Sequence, residues 1–461
     1  MSERARAGAS ENTLPRPRAV VFAVTPGGAR GPSQEEPLNE IKELLRSADM
    51  DWVGDVIQRK DKPHPQSYLG KGKLRDLTET VKSAGATVVV CEDDLTPAQV
   101  ATLLDVVDVD VLDRTELILT VFSKHAHSLE GTLQVHLAQL EYELTRMRGK
   151  GLILSRLGAG VDMRGPGETK LEVDRRVVRK RIQTLRRRID HMASARRTQR
   201  AHRTRTGVPL IALAGYTNAG KSTLLNALTN AEVSARDRLF ETLDPTSRSY
   251  RYRDRDYVLT DTVGFIRKLP HGLVDAFAST LEETTLADLI LVVADAALGV
   301  HEIAVREQTV SDVLDMLGAQ APRIMVFNKI DRIDAGSTAR LRALYPEAVC
   351  IAAARAEGLD VLQARLAQFF DRALRPVRLL FPYAAAAEMH RLRGVASDVH
   401  EEHTPEGILF EARLPAAEVG RCARYSAGVV PADPESVAGQ RVSAIQEARP
   451  SGAGEAGGDG D

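Results

Sequence analysis

The chain has 461 residues, 43% hydrophobic and 27% charged, with a formal net charge of -1, which suits a soluble protein of about two to four domains with material for real cores. Its apolar runs are too short for a membrane: Leu289 to Ala294 is stopped by Asp295, well before the roughly 20 residues that a span requires. Cys91, Cys350 and Cys422 lie far apart with no CxxC spacing, which argues against a disulfide framework or a zinc site. The first residues lack the apolar segment of a secretory signal, so the expected location is the cytoplasm.

Residues 1–18 and 431–461 are biased toward Gly, Ala, Pro and charge and are expected to be disordered tails. Over 19–114, β-rich runs (AVVFAV, WVGDVI, ATVVVC, VDVLD) alternate with helical stretches, which predicts a small parallel α/β domain. Residues 115–206 carry two long helical patterns. Leu133, Leu137, Leu140, Leu144 and Met147 repeat at spacings of four and three, as do Val178, Ile182, Leu185, Ile189 and Met192. Each has one narrow seam. The Gly-rich run RLGAGVDMRGPGETK between them predicts an antiparallel helical hairpin, seam against seam. His125 and His127, two residues apart, would not face one metal on a helix.

The same region breaks the chain's neutrality. From residue 145 to 206 there are 19 Lys and Arg against five Asp and Glu, so this window seeks a polyanion. Like charges four apart, Arg175 with Arg179 and Arg176 with Lys180, weaken a helix by some tenths of a kcal/mol each, and packing does not require them. A solvated face usually mixes its signs. Arg164, Arg175, Arg176, Arg179, Lys180, Arg186, Arg187 and Arg188 are therefore the candidates for contact with RNA.

From 207 to 374 a second α/β pattern begins with PLIALA running into GYTNAGKST. Gly215, Gly220, Lys221 and Ser222 satisfy G-x-x-x-x-G-K-[ST] in the required strand–loop–helix context. The loop Gly215, Tyr216, Thr217, Asn218, Ala219, Gly220, Lys221, Ser222 and Thr223 is expected to cradle phosphates. Lys221 would neutralise the β/γ oxygens and Ser222 would offer its hydroxyl to Mg²⁺. YVLTDTVGF then places Asp261, Thr262, Val263 and Gly264, the carboxylate on the magnesium shell and the Gly264 N–H toward a γ-phosphate. IMVFNKID places Asn328, Lys329, Ile330 and Asp331. The Asp331 carboxylate can accept from guanine N1–H and the 2-amino group, which adenine lacks. The set points to GTP and GDP. Residues 375–430 read as strand, helix and hairpin, a small α+β domain of no evident role.

Beyond these motifs, YLGKGKL, EGTLQVHLAQLEYELTRMRG, RGPGETKLEVDRRVVRKRI and FETLDPTSR resemble the HflX family of ribosome-associated GTPases, over about residues 19 to 430. The resemblance implies a central P-loop GTPase domain between the parallel N-terminal domain with its hairpin and the C-terminal domain. It implies Phe240, Glu241, Thr242, Leu243 and Asp244 as switch I, with Thr242 on magnesium beside Ser222 and Asp261. Lys221, Thr242 and Gly264 would be the catalytic residues. It also implies a monomer that binds the large ribosomal subunit, with the hairpin near ribosomal RNA, and that splits stalled ribosomes when GTP is bound. Asn218 resembles the asparagine that recruits K⁺ in some related GTPases.

Two departures matter. Phe265 follows DTVG where Ras-like GTPases carry a water-orienting Gln, so slow intrinsic hydrolysis is expected, speeded when the ribosome completes the site. Ala352, Ala353 and Ala354 stand where Ser-Ala is common, so the Ala353 N–H would remain for the base while a Ser hydroxyl at 352 is absent. Two rival readings are a large-subunit assembly GTPase and an RNA-binding or remodelling protein that works without GTP.

Overall fold

The computed structural model describes residues 15–26, 36–157, 166–206, 208–229, 239–240, 246–253, 255–268, 273, 283–372 and 374–427. Four parallel strands open the fold: β1 (Arg18–Thr25), β2 (Asp51–Arg59), β3 (Val88–Cys91) and β4 (Asp110–Leu112), in the order β2-β1-β3-β4. The inner strands β1 and β3 are apolar runs rather than alternating ones because helices cover both faces. The period of two then sorts β1 between two cores. Val20 and Phe22 join Leu77, Val81 and Leu103 of α2 (Lys71–Ala84) and α3 (Pro97–Val107). Ala19, Val21 and Ala23 join Ile41, Leu44, Ile118 and Phe122 of α1 (Glu36–Ser47) and α4 (Arg114–His125). That second core runs on into the central region, taking in Tyr216, Leu239, Phe240, Val263, Phe265 and Ile266.

Local signals fix the ends of these helices. Thr96 and Gln99 form a reciprocal capping box with Pro97 in the first turn of α3, which satisfies two N–H groups that would otherwise lack partners. The Asp113 side chain caps α4 by accepting from the Glu116 N–H.

Helices α5 (Leu129–Leu157) and α6 (Pro166–Thr206) follow. Leu137, Leu140, Val178, Ile182 and Leu185 form a buried cluster edged by Leu133, Leu144, Met147 and Ile189, so the expected seams meet. Met192 is half-buried. Arg175 donates to the Met147 carbonyl at 2.6 Å and Arg186 pairs with Glu141 at 2.7 Å. The numbering therefore rises on one helix as it falls on the other, and the pair is antiparallel. The joining run 158–165, with Arg164, lies outside the described residues.

A six-stranded sheet follows in the order β10-β9-β8-β5-β7-β6, built from β5 (Leu210–Gly215), β6 (Thr246–Tyr252), β7 (Arg255–Asp261), β8 (Leu289–Asp295), β9 (Arg323–Asn328) and β10 (Val349–Cys350). β5 runs parallel to both neighbours and β8, β9 and β10 continue the parallel set. Around it lie α7 (Lys221–Thr229), α8 (Val300–Met316) and α9 (Ala335–Leu344), and α10 (Leu359–Asp371) follows in the chain. A separate compact unit takes in Arg251–Asp256 and the chain from Ala364 on. It also takes in Thr206–Val208, and its longest stretch starts inside the helix Leu359–Asp371. In it β11 (Leu374–Phe381), β13 (Gly407–Pro415) and β12 (Ser397–Thr404) form an antiparallel sheet in that order. Val377, Leu379 and Phe410 pack there on Met389 and Leu392 of α11 (Ala386–Arg393), and Val419 of α12 (Ala416–Arg421) packs against this core.

Among the described residues no helix is long and apolar enough to cross a membrane, and no His, Cys, Asp and Glu cluster could hold a metal. His125 ends α4 and His127 lies in the break before α5, not on one helix. All three cysteines are buried and free.

The N-terminal and central regions share a buried ionic cluster. Arg114, 1% exposed, pairs with Glu40 at 3.1 Å and with Glu92 at 3.0 Å. Burial pushes the Glu92 carboxyl up to about 7; Arg114 and Lys268 oppose this, and the nearby Glu40 and Asp93 carboxylates add to it. Between pH 4.5, its ordinary value, and 7 the folded chain keeps a proton on Glu92 that the unfolded chain has lost. Stability therefore falls as pH rises through that window, by up to about 3 kcal/mol from this group. Glu92→Gln should lose less stability than wild type over the same window, read as melting temperature against pH. Parallel curves for the two proteins would remove Glu92 as the source.

Candidate guanine nucleotide site

The site lies at the carboxyl ends of β5, β7, β8 and β9, where open parallel sheets bind ligands. β5 ends at Gly215, whose φ of +154° and close approach leave no room for a side chain: a Cβ would meet the Val293 carbonyl at 2.3 Å. The chain then curls through 216–220 into α7. Lys221 is buried, and its Nζ donates to the carbonyls of Gly215 (3.2 Å) and Tyr216 (3.1 Å). Desolvation lowers its pKa to about 8 against the opposing pull of Asp261. That makes Lys221 a costly buried cation, poised to be relieved by an anion.

Beside it, Ser222 Oγ donates to Asp261 Oδ2 at 2.5 Å, and Asp261 and Thr262 are fully buried. The Thr262 hydroxyl donates to Leu213 O at 2.7 Å. The segment after Asp261 pairs with the phosphate loop, since Thr217 N donates to Phe265 O and Phe265 N to Gly215 O. This brings Gly264 so close that a Cβ would lie 2.7 Å from the Thr217 methyl and 3.1 Å from Lys221 Nζ. Val263 is buried behind it, and the Phe265 ring is 1% exposed in the shared core. Phe265 cannot reach a water at this site.

Asn328 ties the remaining loops together. Its Nδ2 donates to Ala219 O at 3.0 Å, while its Oδ1 accepts from the N–H groups of Lys329 (2.8 Å) and Ala353 (3.0 Å). The Ala353 N–H, expected to meet the base, is thus donated to Asn328. Lys329 sits at φ +65°, a backbone conformation that non-glycine residues hold only where surroundings enforce it. Its Nζ donates to Asn218 O (2.7 Å) and Asp295 Oδ2 (2.8 Å). Asp331 follows Ile330 in a short 3-10 turn, with Arg355 Nε 3.3 Å from its carboxylate. Ala352 is buried and Ala354 exposed. Phe240 is buried edge-to-face on Phe122, centroids 4.5 Å apart, and Leu239 N donates to Ser47 Oγ at 2.9 Å. Glu241, Thr242, Leu243 and Asp244 lie outside the described residues.

Sequence reasoning missed Asp295, Arg355 and the Tyr216 phenol, which donates to Glu40 at 2.8 Å. Asp295 left a signal, an acid closing the apolar strand LILVVAD; the other two left none.

On α6 the residues Arg176, Arg179, Lys180, Arg187 and Arg188 are exposed. Arg175 and Arg186 depart from the expectation that packing leaves these arginines unused. Antiparallel pairing puts a carbonyl and a carboxylate of α5 within their reach, so both serve the hairpin.

Family models described as GTP-binding GTPase N-terminal, GTP-binding GTPase Middle Region and 50S ribosome-binding GTPase match residues 35–123, 125–203 and 210–329. GTPase HflX of Caldanaerobacter subterraneus subsp. tengcongensis is 43% identical over 399 residues, covering 86% of this chain and 91% of that protein. GTPase HflX of Escherichia coli K12 is 44% identical over 303 residues, 65% of this chain and 70% of that one. A GTP-binding protein from Sulfolobus solfataricus, solved with GDP, is 22% identical with a TM-score of 0.41, covering 76% of this chain and 98% of that one. With three family models in chain order and 43% identity across most of a relative's length, the chain belongs to the HflX family of GTPases, enzymes that hydrolyse GTP.

Proposed function

We propose that this GTPase binds the large ribosomal subunit through the basic face of α6 and uses GTP to dissociate stalled ribosomes, hydrolysis then releasing it. The observation that carries the reading is the exposed, single-signed row Arg176, Arg179, Lys180, Arg187 and Arg188 in the same compact unit as the phosphate loop. Phosphate contacts from such a row supply much of the affinity for a nucleic acid. The description of the matched nucleotide-domain family, a 50S ribosome-binding GTPase, supports the choice of polyanion.

At the site, the loop from Gly215 to Thr223 would hold the phosphates, Lys221 would neutralise the β/γ oxygens, and Gly264 N–H would approach the γ-phosphate. Asp331 would read guanine, leaving Arg355 for it. Magnesium fits the donor set: the Ser222 hydroxyl and Asp261 carboxylate are adjacent hard oxygens, with Thr242 the third, and the ion would offset charge on the β- and γ-oxygens. A K⁺ ion beside Asn218 belongs to the same proposal, as do a monomeric state and a place in the cytoplasm. The buried Phe265 ring carries no polar group to orient the water, so intrinsic hydrolysis would be slow and would speed up when the ribosome completes the site. Sedimentation of intact ribosomes with the protein tests the function. Subunits should separate with GTP or a nonhydrolysable analogue and not with GDP. Intact ribosomes under every nucleotide would sink the splitting role and favour subunit assembly.

Lys221→Ala should reduce hydrolysis by about a hundredfold or more, the scale of losing one preorganised charge stabiliser, yet leave the melting temperature unchanged or raised, because it removes a buried cation. Normal turnover in that variant would show the loop to be misassigned. Asp331→Asn should weaken GTP by at least about a hundredfold and favour xanthosine triphosphate, its paired acceptors having become partly a donor. A competition assay with unchanged GTP preference would strip Asp331 of this role. Reversing Arg179, Arg187 and Arg188 together to Glu keeps the seam and the Arg175 and Arg186 contacts, so the hairpin should fold by circular dichroism with GTP affinity unchanged. Cosedimentation with large subunits should fall by about tenfold or more and lose salt dependence. A wild-type salt slope would make these arginines a merely solvated face.

A further inference from the structure

The first turn of α4 faces two ways. Toward the hairpin, Asp113, fully buried, accepts from the Tyr142 phenol of α5, and Arg146, one turn along, pairs with Glu116 and lies 3.6 Å from Asp113. Toward the nucleotide site, Arg114 donates to the Arg267 carbonyl at 3.0 Å while pairing with Glu40 and Glu92. Arg267 lies three residues beyond Gly264. Its N–H donates to the Tyr216 phenol at 2.7 Å, and that phenol donates to Glu40 at 2.8 Å. Lys268 pairs with Asp93 in the same segment. Adjacent residues 113 and 114 thus hold the hairpin with one side chain and the loop after Gly264 with the next.

This turn has little freedom to absorb movement. Asp113 also caps α4 through Glu116 N (3.0 Å) and accepts from Leu95 N (3.3 Å), so a shift of α5 must carry the turn with it or strip a buried carboxylate of its phenol. Buried polar groups are expensive to leave unpaired, so such networks switch between satisfied arrangements rather than stretch. Moving the turn moves Arg114, and Arg114 holds the Arg267 carbonyl.

We propose that the first turn of α4 is the joint through which occupancy of the basic hairpin is read at the switch loop, with Arg114 the positioning residue for the segment after Gly264. The proposal rests on the reading of the hairpin as a ribosomal RNA contact. A cluster that merely glued two regions together would alter stability and would change the basal and stimulated rates alike. A joint alters only the rate that depends on hairpin occupancy.

The test uses the full chain carrying Tyr142→Phe and Arg146→Met, with Tyr142→Phe alone, which removes one hydroxyl, as the variant that preserves folding. Basal GTP hydrolysis, GDP affinity and cosedimentation with large subunits should match wild type. Stimulation by large subunits should fall by about tenfold, within the usual range of coupling between sites. Arg114→Lys keeps the charge but cannot span two carboxylates and the Arg267 carbonyl, so its stimulated kcat should fall with KM for GTP unchanged. Undiminished stimulation in the folded double variant overturns the joint, as does a loss that only tracks lost subunit binding. A wild type that large subunits never stimulate overturns the ribosomal reading and the joint with it.

Discussion

The carboxamide of Asn328 is the contact on which the nucleotide site depends. One side chain at the end of β9 donates to Ala219 of the phosphate loop and accepts from Lys329 and Ala353, so three loops from different parts of the sequence are fixed by three hydrogen bonds. A carboxylate at 328 could not donate, and an aliphatic residue could do neither. Gly220 shows how close the arrangement is: a Cβ there would meet Asn328 Nδ2 at 2.2 Å. The loops carry the chemistry, but the parallel sheet beneath them sets where that chemistry can be.

Much of this was legible because the residues involved answer to local rules. The phosphate loop, DTVGF and NKID follow directly on apolar strands, and each needs particular residues at a fixed spacing. The hairpin seam was legible for the same reason, as a repeat of threes and fours, and the cluster around Leu137 and Ile182 fulfils it. What stayed hidden depends on distant residues. Arg114 reads as an ordinary surface arginine until Glu40, Glu92 and the Arg267 carbonyl surround it, and nothing in a single sequence pairs position 114 with position 267. The ion pair of Arg186 was hidden likewise, its partner Glu141 being 45 residues away.

The N-terminal region is more than an appendage to the nucleotide domain. Its α1 and α4 supply one wall of the core that holds Leu239, Phe240, Val263, Phe265 and Ile266, residues flanking both segments expected to respond to the γ-phosphate. A free nucleotide domain would expose that apolar wall to water. Phe265 illustrates the exchange: the position that orients water in Ras-like enzymes here contributes a buried ring to the core shared by the two regions.

The basic face of α6 has a further consequence for how the molecule meets a partner. A formal charge of -1 predicts neither attraction nor repulsion at long range, yet Lys and Arg far outnumber Asp and Glu over residues 145–206, and acids outnumber bases over the rest of the chain. Near-neutrality of the whole chain thus coexists with one strongly basic segment. The field of the proposed polyanionic partner would favour approach by that segment. The excess of acids elsewhere would disfavour approach by other segments, so the proposed docking would be biased by charge ahead of any specific contact.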